Sequence, residues 1–222
     1  MTYSRYAIYY VAPDGALADF GARWLGWDVV RGCATNQPNV PGLGGITTKP
    51  RKYGFHGTLK APFRLAQGKT PQDLEKAVTA MAASQGVTQC AGLTLTTLGQ
   101  FLALTPVGDT AGLRKLAETC VITLDAFRAS PSSAEREKRS VGLTPRQLAM
   151  LTTWGYPYVM DEFRFHLTLS GALDAADIDH WKEIVQQHLP SLPAPFIIDA
   201  IALCGERQDG QFELIRRYDL TG

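Results

Sequence analysis

Two six-residue stretches share one pattern, Phe55-His56-Gly57-Thr58-Leu59-Lys60 and Phe165-His166-Leu167-Thr168-Leu169-Ser170. Each reads Phe-His-x-Thr-Leu in a run with strand character, and side chains two residues apart lie on one face of a strand. The pattern therefore predicts that a histidine and a threonine project together from each strand. Because the chain has only four histidines, the repetition of this frame around two of them favours a functional role.

A histidine next to a threonine combines a proton-transfer group with a hydrogen-bond donor. Two such pairs can bind a phosphate from opposite sides, with one imidazole acting as base and the other as acid. The candidate catalytic residues are therefore His56, Thr58, His166 and Thr168. Sequence alone does not decide which histidine is the base.

The flanking residues carry a resemblance to a known family. The first motif lies in Lys-Pro-Arg-Lys-Tyr-Gly-Phe-His-Gly-Thr-Leu-Lys-Ala-Pro-Phe (49–63), and the second in Asp-Glu-Phe-Arg-Phe-His-Leu-Thr-Leu-Ser-Gly (161–171). This pair resembles the two-histidine phosphoesterase superfamily, and more narrowly its DUF1045-like bacterial branch of uncharacterised proteins associated with phosphonate metabolism. The resemblance implies a phosphoesterase that needs no metal or cofactor. In particular, it implies hydrolysis of a small cyclic phosphate of ribose or of a nucleotide.

The order motif, helix, strand, strand occurs twice along the chain. After the first motif, Thr70-Pro71 predicts a helix start, and strands at 93–98 and 101–106 flank a Gly99-Gln100 turn. After the second motif, Asp174 predicts a helix cap, and strands follow at 196–203 and 211–218. This repetition indicates an internal duplication. The resemblance implies an α+β fold with two lobes, each an antiparallel sheet with outer helices, and an active cleft between them, in one domain over residues 1–222.

Other segments complete this prediction. A strand at 6–12 and a helix at 15–26 precede the first motif, and helices at 110–128 and 144–153 lie between the halves. Residues 33–50 are rich in glycine and proline and predict a flexible loop. Residues 130–140 mix charges and predict a solvated excursion.

The candidate substrate-binding residues surround the motifs. Lys60, Arg51 and Arg64 belong to a local basic cluster that either holds a second phosphate or is simply a solvated loop face. Tyr53 is a candidate for the mouth of the cleft, and Tyr156 is a candidate for stacking on a sugar or base. Ser170 stands where the first motif has Lys60, so the two halves are not chemically equivalent.

Bulk composition limits the partners. The 222-residue chain has a formal net charge of +1, which argues against long nucleic acid and favours a small phosphorylated substrate. Its four cysteines form no Cys-x-x-Cys pair, which argues against a zinc site and a disulfide framework. No signal peptide or long apolar run is evident, so we expect a cytoplasmic protein without membrane contact. The sequence does not indicate an oligomeric state.

Two other functions stay open. One is an RNA-end-processing protein of the same fold, acting as a 2′,3′-cyclic phosphodiesterase or resembling a ligase, which would need a basic, aromatic groove. The other is a non-catalytic module that binds a nucleotide-like ligand. The intact histidine and threonine of both motifs argue against the second, because a pure binding protein needs no acid–base pair.

Overall fold

A computed structural model describes residues 3–222. The strands are β1 (Tyr6–Tyr10), β2 (Trp27–Asp28), β3 (Cys33–Ala34), β4 (Gly57–Phe63), β5 (Thr88–Cys90), β6 (Gly92–Leu98), β7 (Phe101–Val107), β8 (Leu167–Thr168), β9 (Phe196–Ile198), β10 (Ala200–Glu206) and β11 (Phe212–Asp219). The helices are α1 (Ala16–Leu25), α2 (Leu43–Ile46), α3 (Thr48–Arg51), α4 (Pro71–Ala83), α5 (Ala111–Thr123), α6 (Ser133–Ser140), α7 (Pro145–Trp154) and α8 (Ile178–His188). Short 3₁₀ turns lie at Asp125–Phe127, Met160–Glu162 and Ala175–Asp177.

Seven strands form one sheet in the order β11-β10-β1-β4-β8-β7-β6. Every neighbouring pair in this sheet is antiparallel. The predicted α+β class with antiparallel strands is therefore confirmed. The two predicted sets of strands are not separate sheets, because the motif strands β4 and β8 pair with each other at Gly57 and Leu167.

The two halves of the chain exchange their hairpins. The β6–β7 hairpin of the first half pairs with β8 of the second half, and the β10–β11 hairpin of the second half pairs with β1, next to β4. The helices are exchanged in the same way. Helix α4 of the first half packs on β10 and β11 of the second half, and α8 of the second half packs on β6 and β7 of the first. A smaller pair, β5 with β9, also joins the halves. The two halves are thus interlocked in one structure.

The two faces of the sheet have different roles. One face is covered by α4, α5 and α8, and it holds the main core, which includes Ile8, Leu59, Leu104, Leu167 and Leu203. On the other face a smaller cluster forms around Tyr9, Trp27, Cys204 and Phe212. This second face is where Thr58 lies, since Thr58 is directly opposite Tyr9 in the ladder.

Local sequence signals account for several element boundaries. Thr70 and Asp73 form a reciprocal capping box at the start of α4, and Pro71 occupies the first turn, as predicted. The predicted two-residue hairpin turn is also present, because Leu98 pairs with Phe101 and Gly99 has a φ of +58°.

Some segment predictions need correction. Residues 33–50 were predicted to be a flexible loop, but they include β3 and α2 and run into α3. Residues 130–140 contain α6, whose first turn is capped by Ser132 and Glu135; this helix has no buried residue, so the segment is solvated as predicted but helical. The predicted strand 196–203 is divided at Asp199 between two different sheets. The second motif contributes only a two-residue strand. The division of strand 196–203 follows from pairing with distant segments, because β9 pairs with β5 whereas β10 pairs with β1 and β11.

None of the helices within residues 3–222 has both the length and the apolar character needed to cross a membrane.

Candidate active site

The two motifs meet across the pair β4–β8. Gly57 is opposite Leu167, so the antiparallel register sets His56 opposite Thr168 and Thr58 opposite His166. Leu167 and the neighbouring Phe165 point into the main core. Alternation along the strands therefore turns the two histidines and two threonines to the other face. Position 57 requires glycine, because a Cβ atom at this position would overlap the ring of Phe165.

Both imidazoles are held by the same backbone contact. Nδ1 of His56 lies 2.9 Å from the carbonyl oxygen of Gly54, and Nδ1 of His166 lies 2.8 Å from that of Arg164. A carbonyl oxygen only accepts, so Nδ1 carries the hydrogen in both rings. In the neutral imidazole, Nε2 is then the basic nitrogen. Nε2 of His56 lies 3.1 Å from Oγ1 of Thr58, which donates to it.

The two histidines have different aromatic neighbours. The ring of Tyr9 lies under His56, with centroids 3.8 Å apart and planes inclined by 32°. Tyr9 is completely buried. His166 contacts Phe101 instead, with a centroid distance of 5.5 Å. The sheet therefore encloses His56 more tightly than His166.

Burial lowers the pKa of both histidines. For His56 it lowers the pKa from 6.5 to about 4, assisted by the nearby charge of His166 and opposed by the hydrogen bond to Gly54. Burial also lowers the pKa of His166, and the bond to Arg164 opposes this change. In the free protein at neutral pH, His56 is therefore a neutral base.

Two adjoining cavities surround these side chains. The first, of about 240 Å³, is named the lysine cavity and is lined by Lys49, Tyr53, His56, Phe101, Thr168 and Ser170, among others. The second, of about 540 Å³, is named the tyrosine cavity and is lined by Thr58, Phe101, Tyr156, Tyr158, Glu162, Arg164 and His166, among others. Phe101 borders both. Each cavity thus contains the histidine of one motif and the threonine of the other.

Three of the predicted substrate-binding residues line these cavities. Tyr53 and Ser170 border the lysine cavity, and Tyr156 borders the tyrosine cavity. Ser170 is 1% exposed, and its hydroxyl accepts a hydrogen bond from the backbone of Leu102 and donates one to the carbonyl of Gly171. Its first role is therefore to fix the chain just after the second motif.

Lys60 was predicted to bind substrate, and the structure places it elsewhere. It is 3% exposed, its ammonium donates to the carbonyl of Val121 at 3.0 Å, and Asp125 lies 3.7 Å away. The cause is a β-bulge, because Thr58 pairs with Tyr9 while Lys60 pairs with Ile8, which leaves one additional residue in β4. Lys60 therefore shares the core face of Ile8 rather than the face of Thr58.

We expect Lys60→Met to leave kcat/KM unchanged and to alter the pH dependence of stability. Burial lowers the pKa of Lys60 from 10.5 to about 8, so between these pH values the unfolded chain binds more protons than the folded one. The wild-type free energy of unfolding should therefore increase as pH rises from about 8 to 10.5, because Lys60 loses its proton more readily in the folded chain. The variant should lack this increase. Urea titrations across the window test the prediction. A large fall in kcat/KM would instead return Lys60 to the site.

Two predicted arginines also serve other purposes. Arg51 donates to the carbonyl of Leu25 and to the side chains of Gln37 and Thr47, so it ties α3 to the end of α1. Arg64 forms a two-bond ion pair with Glu135 of α6 and lines neither cavity of the site. The structure therefore does not bring Arg51 or Arg64 to either cavity, because acceptors on other segments bind these guanidinium groups.

Several residues of the site were not among those selected from the sequence, although Lys49 belongs to the basic cluster before the first motif and Tyr158 to the aromatic run that includes Tyr156. Lys49 and Arg164 are its cations, Phe101 and Tyr158 add aromatic surface, and Tyr9 supports His56. Lys49 and Arg164 each stand within seven residues of a motif histidine in the sequence, which is a signal that was available. Tyr9 and Phe101 reach the site only through strand pairing, so no local signal identifies them.

We expect Tyr9→Phe to stabilise the protein by about 1 kcal/mol, because a buried polar group without a partner is unfavourable. Within residues 3–222 the hydroxyl of Tyr9 has no hydrogen-bond partner, and the phenyl ring preserves the contact with His56. Urea denaturation measures the change. Tyr3→Phe is the matched control and should destabilise, since Tyr3 donates to Glu213 at 2.7 Å. Loss of stability in Tyr9→Phe would reveal a partner for that hydroxyl.

The side chains of residues 3–222 form no group of three or more His, Cys, Asp and Glu residues suited to hold a metal ion.

Two curated relatives cover nearly the whole chain. The "Ribose 1,5-bisphosphate phosphokinase PhnN" of Janthinobacterium sp. (strain Marseille) is 36% identical over 219 residues, covering 93% of this chain and 48% of the relative. The protein of the same name from Laribacter hongkongensis (strain HLHK9) is 32% identical over 224 residues, covering 96% and 51%. The chain therefore spans about half the length of the curated relatives it matches.

Solved structures show a distant likeness. E. coli LigT complexed with 3′-AMP is 15% identical and overlaps over 100% of both chains with a TM-score of 0.49. A crystal structure described as a phosphoesterase is 16% identical, again over 100% of both chains, with a TM-score of 0.46.

A family model described as "Protein of unknown function (DUF1045)" matches residues 58–213. The matched region begins two residues after His56 and contains Thr58 and the whole second motif. Because the match covers well over half of the chain, this protein belongs to the DUF1045 family.

Proposed function

We propose that this protein is a phosphoesterase that opens a small cyclic phosphodiester by hydrolysis without a metal ion. The observation that carries the proposal is the register of β4 against β8. It sets two histidine–threonine pairs against each other on one face of the sheet, each histidine with the same Nδ1–carbonyl contact. Such an arrangement supplies a base, an acid and two hydroxyl donors around one phosphate.

The proposed reaction is an in-line displacement at phosphorus. Nε2 of the neutral histidine accepts a proton from water as the water oxygen bonds to phosphorus. The bond from phosphorus to one ring oxygen breaks, and the protonated histidine donates its Nε2 proton to that oxygen. Thr58 and Thr168 donate to the non-bridging oxygens, where negative charge grows. The product is a phosphomonoester with one free hydroxyl, and the two histidines end with their protonation states exchanged.

The histidine pKa values lead to a prediction for the pH profile. One imidazole must be neutral and the other protonated, and that form is most populated between the two pKa values. The pKa of His56 is about 4 and that of His166 is lowered from 6.5, so we expect kcat/KM to peak below pH 6.5. The phosphate charge of a bound substrate favours the imidazolium, so the kcat profile should lie at higher pH. A kcat/KM optimum above neutral pH would contradict this prediction.

The proposed substrate is a cyclic phosphate of ribose, in keeping with a link to phosphonate metabolism. The relatives are named for acting on ribose 1,5-bisphosphate, and this chain corresponds to about half of each of them. Opening the 1,2-cyclic phosphate of ribose 5-phosphate at the bond to O2 would yield ribose 1,5-bisphosphate. A hydrolase that forms this compound would supply a kinase that consumes it.

A second candidate is a 2′,3′-cyclic nucleotide or the cyclic end of an RNA. The observation that favours it is the lining of the tyrosine cavity, where Phe101, Tyr156, Tyr158 and Phe163 offer aromatic surface on which a base can stack. The rings of Tyr156 and Tyr158 pack edge to face, with their centroids 5.7 Å apart. A ribose phosphate has no base that could stack on these aromatic side chains.

Turnover in EDTA tests the proposal. The panel contains ribose 1,2-cyclic phosphate with and without a 5-phosphate, the four 2′,3′-cyclic nucleotides, and a short RNA with a cyclic end. Phosphomonoester formation supports the proposed function, and the preferred compound decides between ribose and nucleotide. No turnover with any compound, together with retained nucleotide binding, would support a non-catalytic module instead.

A further inference from the structure

The two cavities of the site differ in charge. In the part of the chain that the structure describes, the lysine cavity contains Lys49 and no Asp or Glu, whereas the tyrosine cavity contains both Arg164 and Glu162. A carboxylate repels a phosphate, so a second phosphate group is better accommodated in the lysine cavity. Lys49 is exposed and has no ion-pair partner among residues 3–222. The charge of Lys49 is therefore not used in an ion pair within the described fold.

The segment that carries Lys49 is held firmly in place. The buried hydroxyl of Thr47 donates to the carbonyl of Leu43 at 2.7 Å, and Arg51 joins this segment to the end of α1. The backbone nitrogen of Gly171, which follows the second motif, donates to the carbonyl of Ile46 at 2.6 Å. The backbone of Lys49 is thus fixed against the motif strand, while its side chain stays free to reach a ligand. Pre-organisation of this kind lowers the entropic loss on binding.

We propose that Lys49 binds a second phosphate group of the substrate, beside the phosphate on which the two histidines act. This inference rests on the proposed function and narrows it to bisphosphorylated substrates. The lysine cavity, about 240 Å³ in volume and shared with His56 and Thr168, sets the two phosphates side by side. Lys49 is thereby a specificity-determining residue, and it takes the role that the sequence had suggested for Lys60, Arg51 and Arg64.

The test compares two substrates in two variants. The substrates are ribose 1,2-cyclic phosphate with and without a 5-phosphate, and the measured quantity is the ratio of their kcat/KM values. A charge-assisted hydrogen bond contributes about 1.5–3 kcal/mol, so Lys49→Gln should lower this ratio by about 10- to 150-fold. Lys52→Gln is the matched control, because Lys52 stands three residues away, pairs with Glu206 and lines neither cavity. Its ratio should equal that of the wild type.

A failure of the inference about Lys49 can be distinguished from a failure of the proposed function. An unchanged ratio in Lys49→Gln, with active wild-type protein, overturns the role of Lys49 and leaves the proposed function intact. If the wild type turns over neither compound, nor any other compound of the panel, the proposed function fails, and calorimetry with ribose 1,5-bisphosphate and ribose 1-phosphate then tests Lys49. A wild-type preference for the bisphosphate that is lost in Lys49→Gln supports the inference. Equal wild-type affinities for the two compounds overturn it.

Discussion

Alanine in place of His56 or His166 is expected to lower kcat by about 10²- to 10⁴-fold in each case, because each removes one of the two proton-transfer groups. The two losses should not multiply in the double variant, since a base without its acid partner contributes little. Turnover of the preferred cyclic phosphate in EDTA, with enzyme in excess where necessary, measures the effect.

A matched control is available on α8. His180 is exposed and lines neither cavity of the site, so His180→Ala should keep wild-type kcat. Circular dichroism and urea titration should show that both site variants remain folded, since neither histidine lies in the main core. Wild-type turnover in His56→Ala or in His166→Ala would exclude the two-histidine reaction.

The threonines should produce the second-largest effect. Removing one donor to a developing negative charge typically lowers kcat by about 10²- to 10³-fold, and Thr58→Val and Thr168→Val each remove one such hydroxyl. The valine side chain keeps the shape of threonine and suits a strand, so the loss should appear in kcat and not in the free energy of unfolding.

Serine provides the control for each threonine. Thr58→Ser and Thr168→Ser restore the hydroxyl and should recover most of the lost kcat. The variants at position 58 also report on His56, because the hydroxyl of Thr58 donates to its Nε2 in the free protein. We therefore expect Thr58→Val, but not Thr168→Val, to change the imidazole signals of His56 in an NMR titration. Full activity in both valine variants would remove the threonines from the reaction.

The candidate catalytic set could be chosen from the sequence because its grouping on one strand face depends on a short-range rule. Alternation along a strand places His56 with Thr58 and His166 with Thr168, and the repeated frame indicates that the two strands act together. Helix α4 was equally accessible, since Thr70, Pro71 and Asp73 are local start signals. The sequence was sufficient to predict these features because residues close together in the chain determine them.

The surroundings of the site were not accessible, because they depend on pairing between distant strands. Alternation alone would place Lys60 with Thr58, and a bulge set by the ladder with β1 reverses that placement. Arg51 and Arg64 were selected for their charge, yet their acceptors come from Leu25 and from Glu135, which are distant in sequence. Lys49 belongs to the same basic cluster, and only its position in the folded chain distinguishes it from the others.

The exchange of hairpins between the halves bears on how such a chain can arise. The two halves complete one sheet only together, since β8 of the second half pairs with β7 of the first, and β1, which pairs with β4 inside the first half, pairs on its other side with β10 of the second. If the halves arose by duplication, an ancestor consisting of one half could have built the same sheet by exchanging hairpins in a homodimer, with two identical histidine–threonine pairs facing each other across a twofold axis. Fusion of the two copies would then have freed each to diverge. Lys49 before one motif and Arg164 before the other illustrate how such divergence gives a symmetric site two unequal ends.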